Sequence, residues 1–310
     1  TGVSGSGKSS LIRDCLVPLA KEAIRKNGKV SLDEMELSGL DSFTAIHEVD
    51  QSPIGRTPRS TPGTYVGFFD EIRKLFSITP EARMRGYLPG RFSFNSKAGR
   101  CPECEGMGVI KMEMNFLPPS FSKCEMCHGT RFNQQTLDIE YSGKNIAQVL
   151  NLSVAEAIDF FAPVPKVRRA LEALQDTGLD YLSLGQTSPT LSGGEAQRLK
   201  LVTHLLTGLK PGKDSLRSRN NAKLFVLEEP TIGLHHADVR RLVEVLHRLV
   251  DGGHTVIVIE HHMELIAEAD WVIDLGPEGG ESGGKIVVQG PPEKIAKCTR
   301  SHTGRFLKSL

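Results

Sequence analysis

Apolar positions recur along this 310-residue chain in two rhythms. Leu11, Ile12, Leu16 and Leu19 keep helical spacing from a start near Ser9, with Pro18 expected to kink or end the helix. Phe68, Phe69, Ile72, Leu75 and Phe76 mark a second helix, and residues 153–178 one or two more, interrupted around Pro163 and Pro165. Residues 46–50 and 137–141 read as short strands. Two continuous apolar runs, Leu224–Leu227 and Thr255–Ile259, read as buried ones. Residues 271–275 and 285–288, joined by a glycine-rich turn, predict a closing hairpin. Lys21 to Lys29 and residues 208–223 are polar, basic surface stretches, and no internal repeat is found. Helices alternating with buried strands predict an α/β fold.

The polar punctuation carries the chemistry. Gly2 to Ser9 matches G-x-x-x-x-G-K-[ST] within Gly2, Ser4, Gly5, Ser6, Gly7, Lys8, Ser9 and Ser10. Glycines there let backbone N–H groups converge on phosphate, Lys8 adds a point charge, and the Ser9 hydroxyl can ligate Mg²⁺. The chain begins one residue before the first glycine, so it reads as a C-terminal piece of a longer protein. Gln51, at the end of the 46–50 strand, can reach Mg²⁺ or an attacking water, although taken by itself it reads first as a polar turn residue. Glu228 and Glu229 close the first buried strand, where open α/β sheets place their chemistry. In nucleotide hydrolysis the first carboxylate holds Mg²⁺ and the second polarises water. His261 ends the other buried strand and can sense a γ-phosphate or make a local hydrogen bond. Leu191-Ser192-Gly193-Gly194-Glu195 opens a further helix: a second anion site, or a simple helix cap.

Composition narrows the setting. At 39% hydrophobic and 24% charged residues, the chain has enough apolar material for a core. A net charge of +1 argues neither for nor against nucleic acid, and no run reaches the length of a membrane span. Four of the six cysteines form two CxxC pairs, Cys101/Cys104 and Cys124/Cys127, which points to Zn²⁺ in a closed structural site and a reducing compartment. His128 is a weaker competitor for the ion, and Cys15 and Cys298 read as small hydrophobes. Arg83, Arg85, Arg91, Lys97 and Arg100 are interleaved with aromatics without an acid, a nucleic-acid strip or a solvated loop. Arg56 and Arg59 lie in a proline-broken loop suited to phosphate contact.

Phosphate loop, Gln51, LSGGE, the Leu227–Thr231 string and His261 follow the order of an ABC-type ATPase. More narrowly, residues 50–60, 89–95 and 274–280 and the four-cysteine insertion make the chain resemble the UvrA family of DNA-damage sensors. The resemblance implies an ABC-type P-loop ATPase core with a helical signature domain carrying a zinc-binding insertion. Its expected boundaries are 1–75 and 206–310 for the core, 76–205 for the signature domain, and about 88–135 for the zinc module. It also implies ATP with Mg²⁺ at Ser9, Gln51 and Glu228, Glu229 polarising the water, and His261 as a switch. Ser192, Gly193, Gly194 and Glu195 would cap an ATP held mainly by the other ABC module. Implied partners are damaged double-stranded DNA, UvrB, the first ABC module and a second copy of the protein, in the cytoplasm with no membrane. Glu228 stands where the family usually has Asp, and Ile232 where it has Thr. Those two residues keep open a paralogue used in antibiotic self-resistance, and a transporter-like ABC ATPase is the other alternative.

Overall fold

The computed structural model describes residues 1–26, 30–32, 35–55, 57–114, 117–208 and 222–310. Arg56, the end of the Lys21–Lys29 stretch and most of the 208–223 loop therefore lie outside the described residues. Two compact units emerge, Thr1–Gln51 with Thr207–Leu310, and Ser52–Leu206.

The first unit is built on a parallel sheet in which Ala222–Glu228 lies between Phe43–Val49 and Thr255–Ile259. Leu224, Phe225, Val226 and Leu227 are all buried, as a continuous apolar run in a central parallel strand requires. Val49 pairs with Leu227, and Glu228 with Ile259. This register brings the residues that follow each strand, Gln51, Glu229, Glu260 and His261, off one sheet edge. Helix His236–Asp251 buries Val239, Leu242, Val245, Leu246 and Leu249, the spacing of one helical face.

The helix after the phosphate loop does not break at Pro18. Its first part, Ser10–Leu16, is a π-helix, with Val17 N–H donating to the Ile12 carbonyl, and Val17–Lys26 continues as α-helix. The wider turn absorbs the strain that a proline brings to the helix interior, and it also rotates the packing face. Leu11 is consequently exposed, while Val17 packs with Leu224 and Val226 against Ile12 and Ile46.

Strands Val272–Gly276 and Lys285–Gly290 form the expected antiparallel hairpin. Gly2 makes a parallel bridge to Leu275, so the chain enters the phosphate loop alongside this hairpin.

The second unit is mainly helical around one apolar cluster that includes Phe68, Phe69, Ile72, Phe76, Phe92, Phe94, Phe132 and Phe161. Phe69 stacks on Phe94 at 5.4 Å, and Phe76 meets Phe92 at the same separation. Helix Phe69–Ser77 thus packs inside this unit, whereas the sequence reading carried the first part of the core to residue 75. Its aromatic face is what commits it: Phe69, Ile72 and Phe76 all insert into the second unit's cluster. Residues 153–178 form two helices, Val154–Phe160 and Pro165–Asp176. At 137–141 only Glu140–Tyr141 is strand, because Asn133 caps a short helix, Gln134–Leu137, that takes the preceding residues. Among the described residues no helix is long and apolar enough to cross a membrane.

Candidate nucleotide site and four-cysteine centre

The phosphate loop is backed by the glycine-rich turn of the hairpin. Gly280 N–H donates to the Gly5 carbonyl and Gly284 N–H to the Ser6 carbonyl, both at 3.1 Å. Close approach demands glycine on both sides. A Cβ on Gly2, where φ is +135°, would fall 2.0 Å from the Leu275 carbonyl oxygen, and one on Gly279 2.6 Å from the Ser4 carbonyl oxygen. Lys8 is buried and its Nζ donates to the carbonyls of Gly2 (3.0 Å) and Val3 (2.8 Å). Burial pulls its pKa below the ordinary lysine value, opposed by the charges of Glu229 and Asp274. Asp274 is itself buried, accepting from Ser301 Oγ (2.5 Å) and Thr303 Oγ1 (3.1 Å).

At the sheet edge the predicted residues of this unit converge. Ser9 Oγ donates to Glu228 Oε1 at 2.5 Å, and Arg13 Nη1 contacts Glu228 Oε2 at 3.0 Å. Gln51 Nε2 reaches the Glu228 carbonyl at 3.5 Å. Glu229 sits at φ +45°, a strained conformation for a non-glycine residue, and its N–H is tied to the Ile259 carbonyl at 2.8 Å. His261 Nε2 lies 3.7 Å from Glu229 Oε1. Beside the loop, a hydroxyl–carboxylate pair (Ser9, Glu228) with the Gln51 amide at the Glu228 carbonyl thus adjoins in sequence a carboxylate–imidazole pair (Glu229, His261).

Glu260 was not singled out from the sequence, yet it organises this edge. Its buried carboxylate accepts from Thr231 N (3.0 Å), Thr231 Oγ1, His261 N (2.5 Å) and His262 N (2.9 Å). These bonds pin the turn after Glu229 to the turn that carries His261. Read alone, Glu260 was only the polar residue ending a strand. Arg13 and Asp274 were missed for the same reason, because each partner lies more than twenty residues away.

In the second unit, Ser192 and Glu195 form the reciprocal bonds of a capping box. Glu195 N–H donates to Ser192 Oγ (3.2 Å) and Ser192 N–H to Glu195 Oε2 (2.6 Å). Tyr181 donates its hydroxyl to Glu195 at 2.6 Å, and burial together with that carboxylate pushes the phenol up to about 12. The LSGGE string therefore makes a helix cap with Gly193 and Gly194 opening the helix.

The four cysteines come together in one buried cluster. Sγ of Cys101 lies 3.9 Å from that of Cys124, and Sγ of Cys104 3.6 Å from that of Cys127. A tetrahedral ion with metal–sulfur bonds of about 2.3 Å separates its ligands by about 3.8 Å. The set fits such an ion and is far from disulfide spacing. His128 is exposed at φ +48°, outside the cluster. A Cβ on Gly106, at φ +84° in the first knuckle, would fall 1.8 Å from the Phe94 carbonyl oxygen.

Two polar residues support the knuckles without a motif to announce them. Glu103 Oε2 accepts from Met126 N–H and from the Cys124 thiol, both at 3.2 Å. Arg131 is buried, donates to the Gly185 carbonyl at 2.7 Å and lies 5.1 Å over the Phe94 ring. Burial lowers its pKa to about 10, opposed by the nearby Cys104 and Cys127. A guanidinium here offsets the negative charge that four thiolates would bring.

The basic strip is largely engaged within the chain. Arg59 and Arg100 pair with Glu105 (3.6 and 2.9 Å), and Arg85 with Asp138 (3.4 Å). Arg91 donates to Gln135 (2.8 Å) and Thr136 (3.0 Å) and covers the Tyr87 ring. Arg83 and Lys97 are exposed.

No family model matches the chain. Its whole length is 53% identical to UvrABC system protein A of Haemophilus influenzae and 51% identical to that of Escherichia coli, covering 32% of each relative. The Aquifex aeolicus protein of the same name is 53% identical over 99% of the chain. The chain thus spans about a third of the length of these curated relatives. Among solved structures, UvrA2 from Deinococcus radiodurans superposes with a TM-score of 0.85 at 49% identity, over 99% of this chain and 36% of that one. The chain shares its fold, α/β with a parallel sheet in the first unit, with that UvrA2 structure.

Proposed function

We propose that this chain, homologous to UvrABC system protein A along its whole length, is an ATP-binding and ATP-hydrolysing part of the damage sensor of nucleotide excision repair. The observation that carries the reading is the convergence of Ser9, Glu228, Glu229, Gln51 and His261 on one sheet edge beside the phosphate loop. Loop amides from Gly2 to Ser10 and Lys8 bind the ATP phosphates, Lys8 exchanging its two carbonyl partners for phosphate oxygens. Ser9 and Glu228, with Gln51 near, would hold Mg²⁺, which would supply charge neutralisation for the ATP phosphates. Water attacks the γ-phosphorus, its bond to the β–γ bridging oxygen breaks, and ADP leaves with the electron pair. Glu229 accepts the proton of the water, and His261, 3.7 Å away, orients that carboxylate and the phosphate.

Ser192 to Glu195 cap the γ-phosphate of a nucleotide held by another ABC module, with the helix N-terminus supplying the partial charge. The four cysteines hold Zn²⁺ in a structural role, since four thiolates leave no open position. Damaged duplex DNA, UvrB, the partner ABC module and a second copy of the protein complete the machine in this reading. Arg83 and Lys97, exposed beside the knuckles in sequence, are the strip residues available for DNA phosphates.

The test is ATP hydrolysis by the full-length polypeptide with and without lesion-bearing duplex, beside a Lys8→Ala variant. Turnover that responds to the lesion and falls at least a hundredfold in Lys8→Ala supports the proposal. Turnover indifferent to DNA, with duplex affinity independent of salt, overturns it.

A further inference from the structure

A second cluster of metal-ligating side chains lies in the first unit, on the segments that leave the same sheet edge. His236 opens helix His236–Asp251, His262 precedes helix Met263–Ala267, and Glu264 lies in its first turn. One ligand atom from each falls within 4.8 Å of the others. The His236 and His262 rings meet edge to face at 5.6 Å, and His236 Nδ1 lies 3.9 Å from Glu264 Oε1. A second observation is independent of that clustering. Among the described residues, His262 Nδ1 and Glu264 Oε2 are buried atoms without any hydrogen-bond partner, an arrangement that is unfavourable unless something compensates it.

We propose that His236, His262 and Glu264 form a binding site for a borderline divalent cation of the zinc class. Two imidazoles and a carboxylate are the donor set such ions take when a fourth position stays open. Ligand atoms around an ion with bonds of about 2.0–2.2 Å sit about 3.4 Å apart, so the trio closes with sub-ångström to ångström adjustments. The exposed His236 side chain is free to make them. His261 is excluded from the set because its Nε2 faces Glu229. The ion would join the start of the helix that follows Glu229 and Thr231 to the turn after His261. That turn is already fastened through Glu260. The site is distinct from the four cysteines by ligand chemistry, nitrogen and oxygen in place of sulfur.

Zn²⁺ titration by calorimetry at pH 7.5, into untagged chain whose cysteine centre is already loaded, tests this directly. One further equivalent is expected. His236→Ala with Glu264→Gln should weaken it at least tenfold, while thermal melting without added metal stays within a few degrees. Co²⁺ at the second site should add weak d–d bands without the thiolate charge-transfer band of the cysteine centre. If the double variant fails to fold, His236→Ala alone must still weaken the second equivalent. Absence of a further equivalent overturns the proposal, as does a further equivalent untouched by these substitutions. A cluster that acts only as a His236–Glu264 ion pair would change acid stability and leave Zn²⁺ binding absent, which also sinks it. None of these readouts depends on ATP hydrolysis.

Discussion

Around the phosphate loop, position is set by backbone against backbone: Gly280 and Gly284 N–H groups hold the Gly5 and Ser6 carbonyls, with no side chain between them. Around the four cysteines it is set by side chains, four sulfurs at 3.6–3.9 Å with Glu103 bridging the knuckles and Arg131 beside them. The first arrangement leaves amides open toward an anion but tolerates no added carbon. The second tolerates change at its exterior, yet four like charges can share the cluster only if a cation is there. Binding of nucleotide and binding of a structural ion therefore fail in different ways. The loop fails through sterics, the knuckles through charge.

The largest effect expected follows from the second half of that contrast. On the proposed zinc reading, a chelator, or Cys104→Ser, should remove a stabilisation on the order of 10 kcal/mol, the size that a structural zinc site supplies. Hydrogen exchange should then rise across 99–132, whereas nucleotide binding by the first unit, read with a fluorescent ATP analogue, should persist. Uniform exchange before and after chelation would show that packing alone holds the knuckles.

The sterics can be broken with one carbon. Gly2→Ala forces φ +135° on an alanine and drives its Cβ against the Leu275 carbonyl oxygen. We expect a loss of about 3–4 kcal/mol in stability and undetectable nucleotide binding. Gly283→Ala is milder: its Cβ would sit 2.8 Å from the Glu278 carbonyl oxygen and 3.2 Å from Ser6 Cα. A cost of about 1–3 kcal/mol is expected, with ATP affinity reduced more than the melting temperature alone explains. Affinity unchanged at equal stability would show that the glycine-rich turn only fills space.

Glu260→Gln tests the polar fastening of the same edge. Glutamine keeps one acceptor oxygen where the carboxylate serves Thr231, His261 and His262 with two. A loss of about 2 kcal/mol is expected. If Glu260 positions His261 and the Glu229 turn, kcat should fall while KM for ATP changes little. Equal changes in both would reduce it to a structural residue.

These contrasts also mark what was legible in advance. The phosphate loop, the strand-end carboxylates and the CxxC pairs are local strings whose spacing is itself the chemistry; in the structure Ser9 contacts Glu228, and His261 lies beside Glu229. Parallel strands running to a common edge made that convergence readable. Glu260, Asp274, Arg13, Glu103 and Arg131 were not readable, because each acts on partners set by tertiary folding rather than by a repeat. The apolar rhythm located helices Val17–Lys26, Phe69–Ser77, Val154–Phe160 and Pro165–Asp176 but not His236–Asp251, and helix Phe69–Ser77 could not be assigned to its unit from spacing alone. Its aromatic partners Phe92 and Phe94 lie beyond a further short helix, Pro80–Met84. Leu11 illustrates the same limit, since the π-turn rotated it out of the packing face.

The smallest effect concerns the sheet beneath the nucleotide edge, where two histidines, His47 and His254, pack against Phe225. His47 stacks on Phe225 at 5.2 Å, and the same ring meets His254 at 5.5 Å. Burial lowers the pKa of both, reinforced by the Lys223 charge. His254 Nδ1 also accepts the Lys223 N–H at 3.4 Å, which requires that nitrogen to be unprotonated. The sign follows from proton counting. Both groups have folded values below the ordinary 6.5, so the unfolded chain binds more protons between those values and 6.5. Stability is complete above pH 6.5 and declines as pH falls through that value toward the depressed ones. Hydrogen exchange in the 222–228 strand should accelerate between pH 7.5 and 5.5, after correction for intrinsic rates, and His254→Gln should flatten the profile. Protection in helix Pro165–Asp176, inside the phenylalanine cluster, should stay level over the same range. An acid response of equal size in that helix would place the proton sensitivity elsewhere and erase this distinction between the two units.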